Sequence, residues 1–385
     1  MRATLHKQTR DTAARKSVMW LYGLPLVVTL AMAGPAFADE AHRNIIRFDA
    51  PGAGSGIDPP GQGTFPIGVN DLGDIVGTYV DEKGVNHGFL RAADGAFTTV
   101  DPPGSVSTIV SGVNLEGTMV GTYRDSNLVP HGFVQAHDGT LTVIDAPGAG
   151  TGPGQGTSTT NINVFGEVSG VFRDANGVHA CFVRARDGKI TSFVPPDAGT
   201  AEKFQGCSSF TTDALNDLGA AAGYNIDANS VAHGWVRAPD GRITVFDAPG
   251  GGTGIIQGTY AAGINLGGTV PGWVIDSDSV THGFVRTPAG YITTFDVEGA
   301  GSDPGQGTFV ATINLWGAMT GWYVDAGDVQ HGFVRAPGGH ITTFDVPGAS
   351  SGPGLGTVAG ANNDRGEVTG SYYDVNGVAH GFLRQ

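Results

Sequence analysis

The chain has 385 residues, with 36 Asp and Glu against 21 Lys and Arg, 64 glycines and 40% hydrophobic residues. That acid excess disfavours nucleic acid or an anionic lipid surface as a partner, because phosphates are bound by clustered Lys and Arg. The hydrophobic content is enough to build a core, so the glycines speak for many turns and close packing and against disorder.

Residues 1–38 read as a secretory signal peptide. Arg2, Lys7, Arg10, Arg15 and Lys16 precede the apolar run 18–34, and Ala36-Phe37-Ala38 supplies a small-x-small cleavage site. The run contains Gly23 and Pro25 and falls short of the roughly 20 apolar residues of a membrane span. Cleavage would leave 16 bases and 35 acids, a short segment 39–43 and a single domain over 44–385, with no later membrane span. A secreted or periplasmic location follows. There the two cysteines, Cys181 and Cys207, could join in one disulfide.

Next comes a repeat. A motif close to His-Gly-Phe-Val-Arg stands at His87, His131, His179, His233, His282, His331 and His380, spaced 44, 48, 54, 49, 49 and 49 residues apart. The sixth copy shows the plan: strands are expected over 307–314, 318–325, 331–336 and 340–346, each rich in Thr, Val, Ile and aromatics and bounded by Gly, Asp, Asn or Pro. Helical periodicity is absent. Four antiparallel strands in each of seven copies predict an all-β fold, a seven-bladed β-propeller. Asp240-Gly241 suits a two-residue type I′ hairpin, which would set Trp235 opposite Phe246 and, in other copies, Phe89 opposite Val100 and Phe333 opposite Phe344. The last copy ends without a fourth strand, while residues 44–52 resemble a fourth strand without the preceding three. The ring is therefore expected to close by the N-terminal strand completing the last blade, with Phe382 facing Phe48, which hides the sheet edges.

The His-Gly-Phe-x-Arg core, the Asn-x-x-Gly and Gly-x-Tyr-x-Asp elements before it, and the leader are together similar to the bacterial extracellular repeats called the HAF family. The similarity covers nearly all of 44–385; the third copy departs, reading His179-Ala180-Cys181-Phe182. The resemblance implies an exported bacterial repeat protein and brings no catalytic residue with it.

An Asp precedes each His by five or six residues, at Asp81, Asp125, Asp174, Asp227, Asp276, Asp325 and Asp374. Such pairs could act as acid-base dyads or metal ligands, but seven equal copies favour a side-chain hydrogen bond that ties each hairpin. The Arg that ends six of the motifs reads likewise as a hydrogen-bonding group between blades. Asp-x-Asn/Asp turns, such as Asp227/Asn229, resemble calcium loops but lack the downstream bidentate Glu, so no metal and no cofactor are expected. The Gly-rich connectors lack a Gly-Lys-Ser/Thr ending, and 348–352 matches Gly-x-Ser-x-Gly only by coincidence with its sister loops.

Function should lie where the copies differ. Just after the second-strand Gly, the fourth to sixth copies carry Tyr224, Trp273 and Trp322, and Trp316 adds an aromatic to the sixth. These four are the candidate ligand-binding residues; ordinary packing between blades is the competing reading. The expected function is a non-catalytic binding or scaffold module, a monomer, that takes a cell-envelope polysaccharide or an extracellular protein. A polysaccharide lyase or hydrolase is the alternative, with Glu116, Glu167, Glu202, Glu298 and Glu367 as its non-repeated carboxylates; a structural cell-surface protein is the third.

Overall fold

The computed structural model describes residues 44–201, 205–208 and 214–385. The leader, residues 39–43 and Glu202 lie outside the described residues. The fold is all-β and of propeller type: 28 strands and no helix among the described residues. No helix is long and apolar enough to cross a membrane.

Each repeat is an antiparallel meander. In the sixth, Gly307–Ile313, Met319–Val324, Gln330–Arg335 and Ile341–Phe344 pair in order. The hydrophobic core lies between successive sheets: Phe382 packs with Val334 and Val346 of the sixth repeat and with Ala359 and Val368 of its own. In the fourth repeat, as in the fifth, two glycines make room for two aromatics. A Cβ on Gly223 would sit 2.6 Å from the Trp235 ring, and one on Gly234 would sit 2.6 Å from the Phe246 ring. The Gly-Phe step of the motif is thus a packing device, with the aromatic buried and worth roughly 3–5 kcal/mol against Ala.

The third-to-fourth hairpin differs from expectation by one residue. Gly234 faces Phe246 and Trp235 faces Val245. The loop has three residues, Pro239-Asp240-Gly241, with Gly241 N–H donating to Ala238 O and Ala238 N–H to Arg242 O. Gly241 alone has a left-handed φ, +91°. A type I′ turn needs that conformation at two residues, so a type I turn followed by a glycine bulge forms instead.

The N-terminal strand Ile45–Phe48 pairs antiparallel with the last strand, Ala379–Arg384, as expected, but Phe382 faces Arg47 and Phe48 faces Gly381. The same one-residue shift recurs here.

Neighbouring repeats are tied in four ways. An Asn at the first turn of every repeat donates to the main-chain O of the next one's Asn: Asn70 to Asn114, and onward through Asn163, Asn216, Asn265, Asn314 and Asn363. Asn363 donates in turn to Asn70 O at 2.9 Å. A Thr hydroxyl near the start of a repeat accepts the N–H of the residue that ends the preceding unit, as Thr259 does from Ala248 at 2.8 Å. The motif Arg lies over the fourth-strand aromatic of the preceding unit: Arg286 over Phe246 at 4.8 Å and Arg335 over Phe295 at 4.7 Å. This is a cation–π contact, where a hydrogen bond between blades was expected. Finally, the first-strand Gly crosses so close to the preceding third strand that any Cβ would strike its carbonyl, as Gly307 would meet Thr281 O. This allows a parallel bridge such as Thr281 to Gly307.

The second repeat lacks that parallel bridge on both sides, although Gly156 still crosses close to Pro130 O. Its strands, Ser107–Val113, Met119–Arg124, Pro130–Gln135 and Leu141–Ile144, form a sheet of their own. Ser107 stands where the other repeats have the crossing Gly, and Pro130 has no N–H to give where Ala232, Thr281 and Gln330 donate to the next connector.

Candidate functional site

The repeated His residues have partners that sequence spacing does not reveal. His282 Nδ1 bonds Asp296 at 2.9 Å, fourteen residues on, while its Nε2 lies 3.4 Å from the upstream Asp276. His87, His131, His233, His331 and His380 repeat the first contact with Asp101, Asp145, Asp247, Asp345 and Asp49 at 2.7–3.0 Å. The upstream Asp chiefly shapes its own turn: Asp276 Oδ1 accepts the amides of Asp278 and Val280. Burial disfavours a charged His282, but Asp296 and Asp276 outweigh it and raise its pKa. Among the described residues no three His, Cys, Asp or Glu side chains converge as a metal site.

The third repeat departs from this pattern, and the register explains how. Phe182 is equivalent to Phe284, so Ala180, not His179, stands at the motif histidine's place. Val194 stands where the partner Asp would be. Both members of the clasp are missing together. Cys181 takes the motif Gly position and Cys207 the Thr position of the fourth repeat, and the two form a disulfide with Cα atoms 5.5 Å apart. Pro195 at the end of the third unit has no N–H for a Thr to accept, so a covalent bond replaces the polar tie at this junction.

Tyr224, Trp273 and Trp322 do come together. They belong to one row in which Tyr260 and Phe309, first-strand residues that sequence reading missed, alternate with them. Ring centroids are 4.8 Å apart for Tyr224–Tyr260, 5.4 Å for Tyr260–Trp273, 6.5 Å for Trp273–Phe309 and 5.2 Å for Phe309–Trp322. Two of these pairs are stacked within 4° of parallel. Tyr224 is buried, and burial pushes the Tyr260 hydroxyl up to about 12. The rings therefore spend their faces on each other, leaving Trp273 and Trp322 half-exposed. Trp316 is not part of the row; its indole N–H donates to Asp364 O at 3.0 Å, at the first-turn end.

Where the second and third repeats meet, the same positions hold small side chains. Ile109 and Thr122 stand at the Phe309 and Trp322 positions of the second repeat, and Ser158 and Val171 at those of the third. A cavity of ≈350 Å³ opens there, lined also by Arg124, Arg173, Phe172 and His179. Among the described residues no carboxylate lines it. Burial, followed by the Arg173 charge, lowers the pKa of His179, so the imidazole is neutral at pH 7.

A second cavity, ≈220 Å³, lies within the Asn cycle and is lined by Asp71, Asp217 and Asp364. These carboxylates are engaged: Asp71 accepts the Asp364 amide at 2.7 Å, Asp217 that of Val164 at 3.0 Å and Asp364 that of Leu315 at 2.8 Å. Burial, with Asp71 and Asp217 nearby, pushes Asp364 up to about 6. The described non-repeated glutamates, Glu116, Glu167, Glu298 and Glu367, line neither cavity. Glu167 and Glu367 brace the Asn turns, accepting from Asn163 at 2.9 Å and Asn363 at 2.6 Å. Glu116 belongs to the equivalent turn, whereas Glu298 sits on a connector at the opposite ends of the strands.

No protein-family model matches the sequence, and no curated protein is similar to it. Among solved structures the chain is similar to the BP39L lectin from Burkholderia pseudomallei, at 11% identity and a TM-score of 0.53, over 81% of this chain and 92% of the lectin. It is also similar to puromycin hydrolase, at 15% identity and a TM-score of 0.49 over 82% of this chain and 53% of the enzyme, so it spans about half the enzyme's length. The β-propeller domain of the Trilobed protease from Pyrococcus furiosus is similar at 9% identity and a TM-score of 0.47, over 84% and 96%.

Proposed function

We propose that the chain is an exported, monomeric sugar-binding module: a closed seven-bladed propeller of HAF-type repeats that holds a saccharide in the cleft between its second and third repeats. The observation that carries this reading is the cavity itself. It falls between two repeats whose four positions in the row, Ile109, Thr122, Ser158 and Val171, are all small or aliphatic, and its size lies within the range of small-molecule sites. Its wall combines aliphatic faces, Ile109 and Val171, with the hydroxyls of Thr122 and Ser158. That mixture suits a sugar ring, which offers C–H faces and hydroxyl edges.

Closure is supported by the Asn cycle returning to Asn70, by the pairing of Ile45–Phe48 with Ala379–Arg384, and by the contact of His380 with Asp49. Export is supported by the leader and by the disulfide, a bond of oxidising compartments. A lectin shares the fold. Hydrolysis of a glycoside ordinarily needs two carboxyl groups flanking the scissile bond, and among the described residues none lines the cleft, which favours the binding reading. The test is a glycan array probed with the exported protein in calcium and in chelator. Calcium-independent capture of a defined saccharide is expected; failure of every glycan would leave a protein ligand or a structural role.

A further inference from the structure

Resting on that reading, we infer that the saccharide is acidic and that Arg124 and Arg173 hold its carboxylate. The last residue of the second strand is Val80, Ile226, Ile275, Val324 or Tyr373 in five repeats, and Arg only in the second and third. Those two repeats are the ones that enclose the cleft, and both arginines line it. In a chain with so large an acid excess, a pair of arginines at equivalent positions on one cavity is a local reversal of charge.

Both guanidinium groups are available. Arg124 is exposed and its side chain makes no hydrogen bond or ion pair among the described residues. Arg173 uses only Nε, donating to Gly177 O at 2.9 Å. The adjacent carboxylates are committed elsewhere: Asp125 Oδ1 accepts from Asn127 and Val129 amides, and Asp174 Oδ1 from Asn176 and Val178 amides. Neither Asp lines the cavity, and neither bridges to an Arg. A guanidinium presents a planar fork of N–H donors that matches a carboxylate in bidentate fashion. The neutral His179 adds a ring nitrogen for a hydroxyl without adding charge. The negative field of the whole protein opposes a long polyanion, so the cleft takes a short or terminal uronate unit.

The experiment is calorimetric titration of the exported protein with short oligosaccharides of galacturonate, glucuronate and mannuronate, their methyl esters, and a sulphated oligosaccharide. At least one free acid is expected to bind, with its methyl ester tenfold or more weaker. Arg124→Gln and Arg173→Gln should each weaken the acid tenfold or more and leave any residual binding of the ester unchanged. Arg124→Lys should fall between, because it keeps the charge and loses the fork. Arg124 is exposed, so its variants should melt with the parent, which separates loss of ligand from loss of fold. Esters that bind as well as acids, with no effect of the Gln variants, would overturn the acidic ligand and leave sugar binding standing. A preference for the sulphated sugar over every uronate would overturn the carboxylate. No binding by any saccharide would overturn both readings.

Discussion

The gap between the second and third repeats and the gaps among the fourth, fifth and sixth are built on one backbone plan with opposite contents. On one side Tyr224, Tyr260, Trp273, Phe309 and Trp322 form a continuous row of rings. On the other, Ile109, Thr122, Ser158 and Val171 leave a cavity edged by two arginines. The second repeat also forgoes the parallel bridges that fasten the others, through Ser107 and Pro130. In a repeat protein the feature common to all copies maintains the frame, and the copy that departs is free to bind.

The sharpest way to break this comparison is to make the open gap like the filled one. Val171→Trp with Ser158→Tyr copies the Tyr260–Trp273 pair into the third repeat; saccharide affinity should drop by 100-fold or more in titration while the circular dichroism spectrum is kept. A smaller effect is expected at the boundary between the two regions, where the Cys181–Cys207 disulfide joins the third repeat to the fourth. Replacing both cysteines by Ser should cost about 3 kcal/mol in denaturant unfolding, the loop-closure value for a separation of this order. An unchanged midpoint would show that the junction is held by other contacts.

Opening the filled side should cost less. Trp273→Ala removes a half-exposed ring stacked on Tyr260 and should destabilise by about 2 kcal/mol, with sugar binding unaltered. Lost binding at full stability would move the site to the aromatic row. The smallest effect belongs to the clasps, which the fifth repeat has and the third lacks. His282 has a raised pKa, so its stabilisation is present below its unfolded value, about 6.5, and fades as pH rises through the folded one. His282→Asn should therefore be less stable than the parent near pH 5.5 and match it near pH 8. An equal deficit at both pH values would assign the residue to packing alone.

Most of the frame was legible in the sequence because repetition multiplies weak signals: the strand order and the pairing of the N-terminal strand with the last both follow from comparing copies. Register was not. Asp240-Gly241 reads as a two-residue turn, and the six copies that have this hairpin share one loop, so agreement among copies could not reveal a shift shared by all. The clasp partner, fourteen residues on from five of the histidines and at Asp49 for His380, becomes visible only with the right register. Aligning the third copy on His179 in place of Phe182 likewise hid the joint loss of His and Asp at Ala180 and Val194. Of the row, Tyr224, Trp273 and Trp322 were found because they share one position on the second strand. Tyr260 and Phe309 were missed because their contacts cross between strands, and in the sixth repeat that pairing contains a bulge at Val310/Thr312. The cavity is an absence of side-chain volume shared by two repeats; the signal that could have exposed it was Arg124 and Arg173 at a position otherwise apolar or aromatic.

The central claim is that ligand enters the gap between the second and third repeats. A crystal structure of the exported protein with a short oligouronate tests it most directly. The account predicts sugar density between Arg124 and Arg173, against Val171 and Thr122. Density on the Trp273–Trp322 edge, or within the Asn cycle beside Asp364, would contradict it.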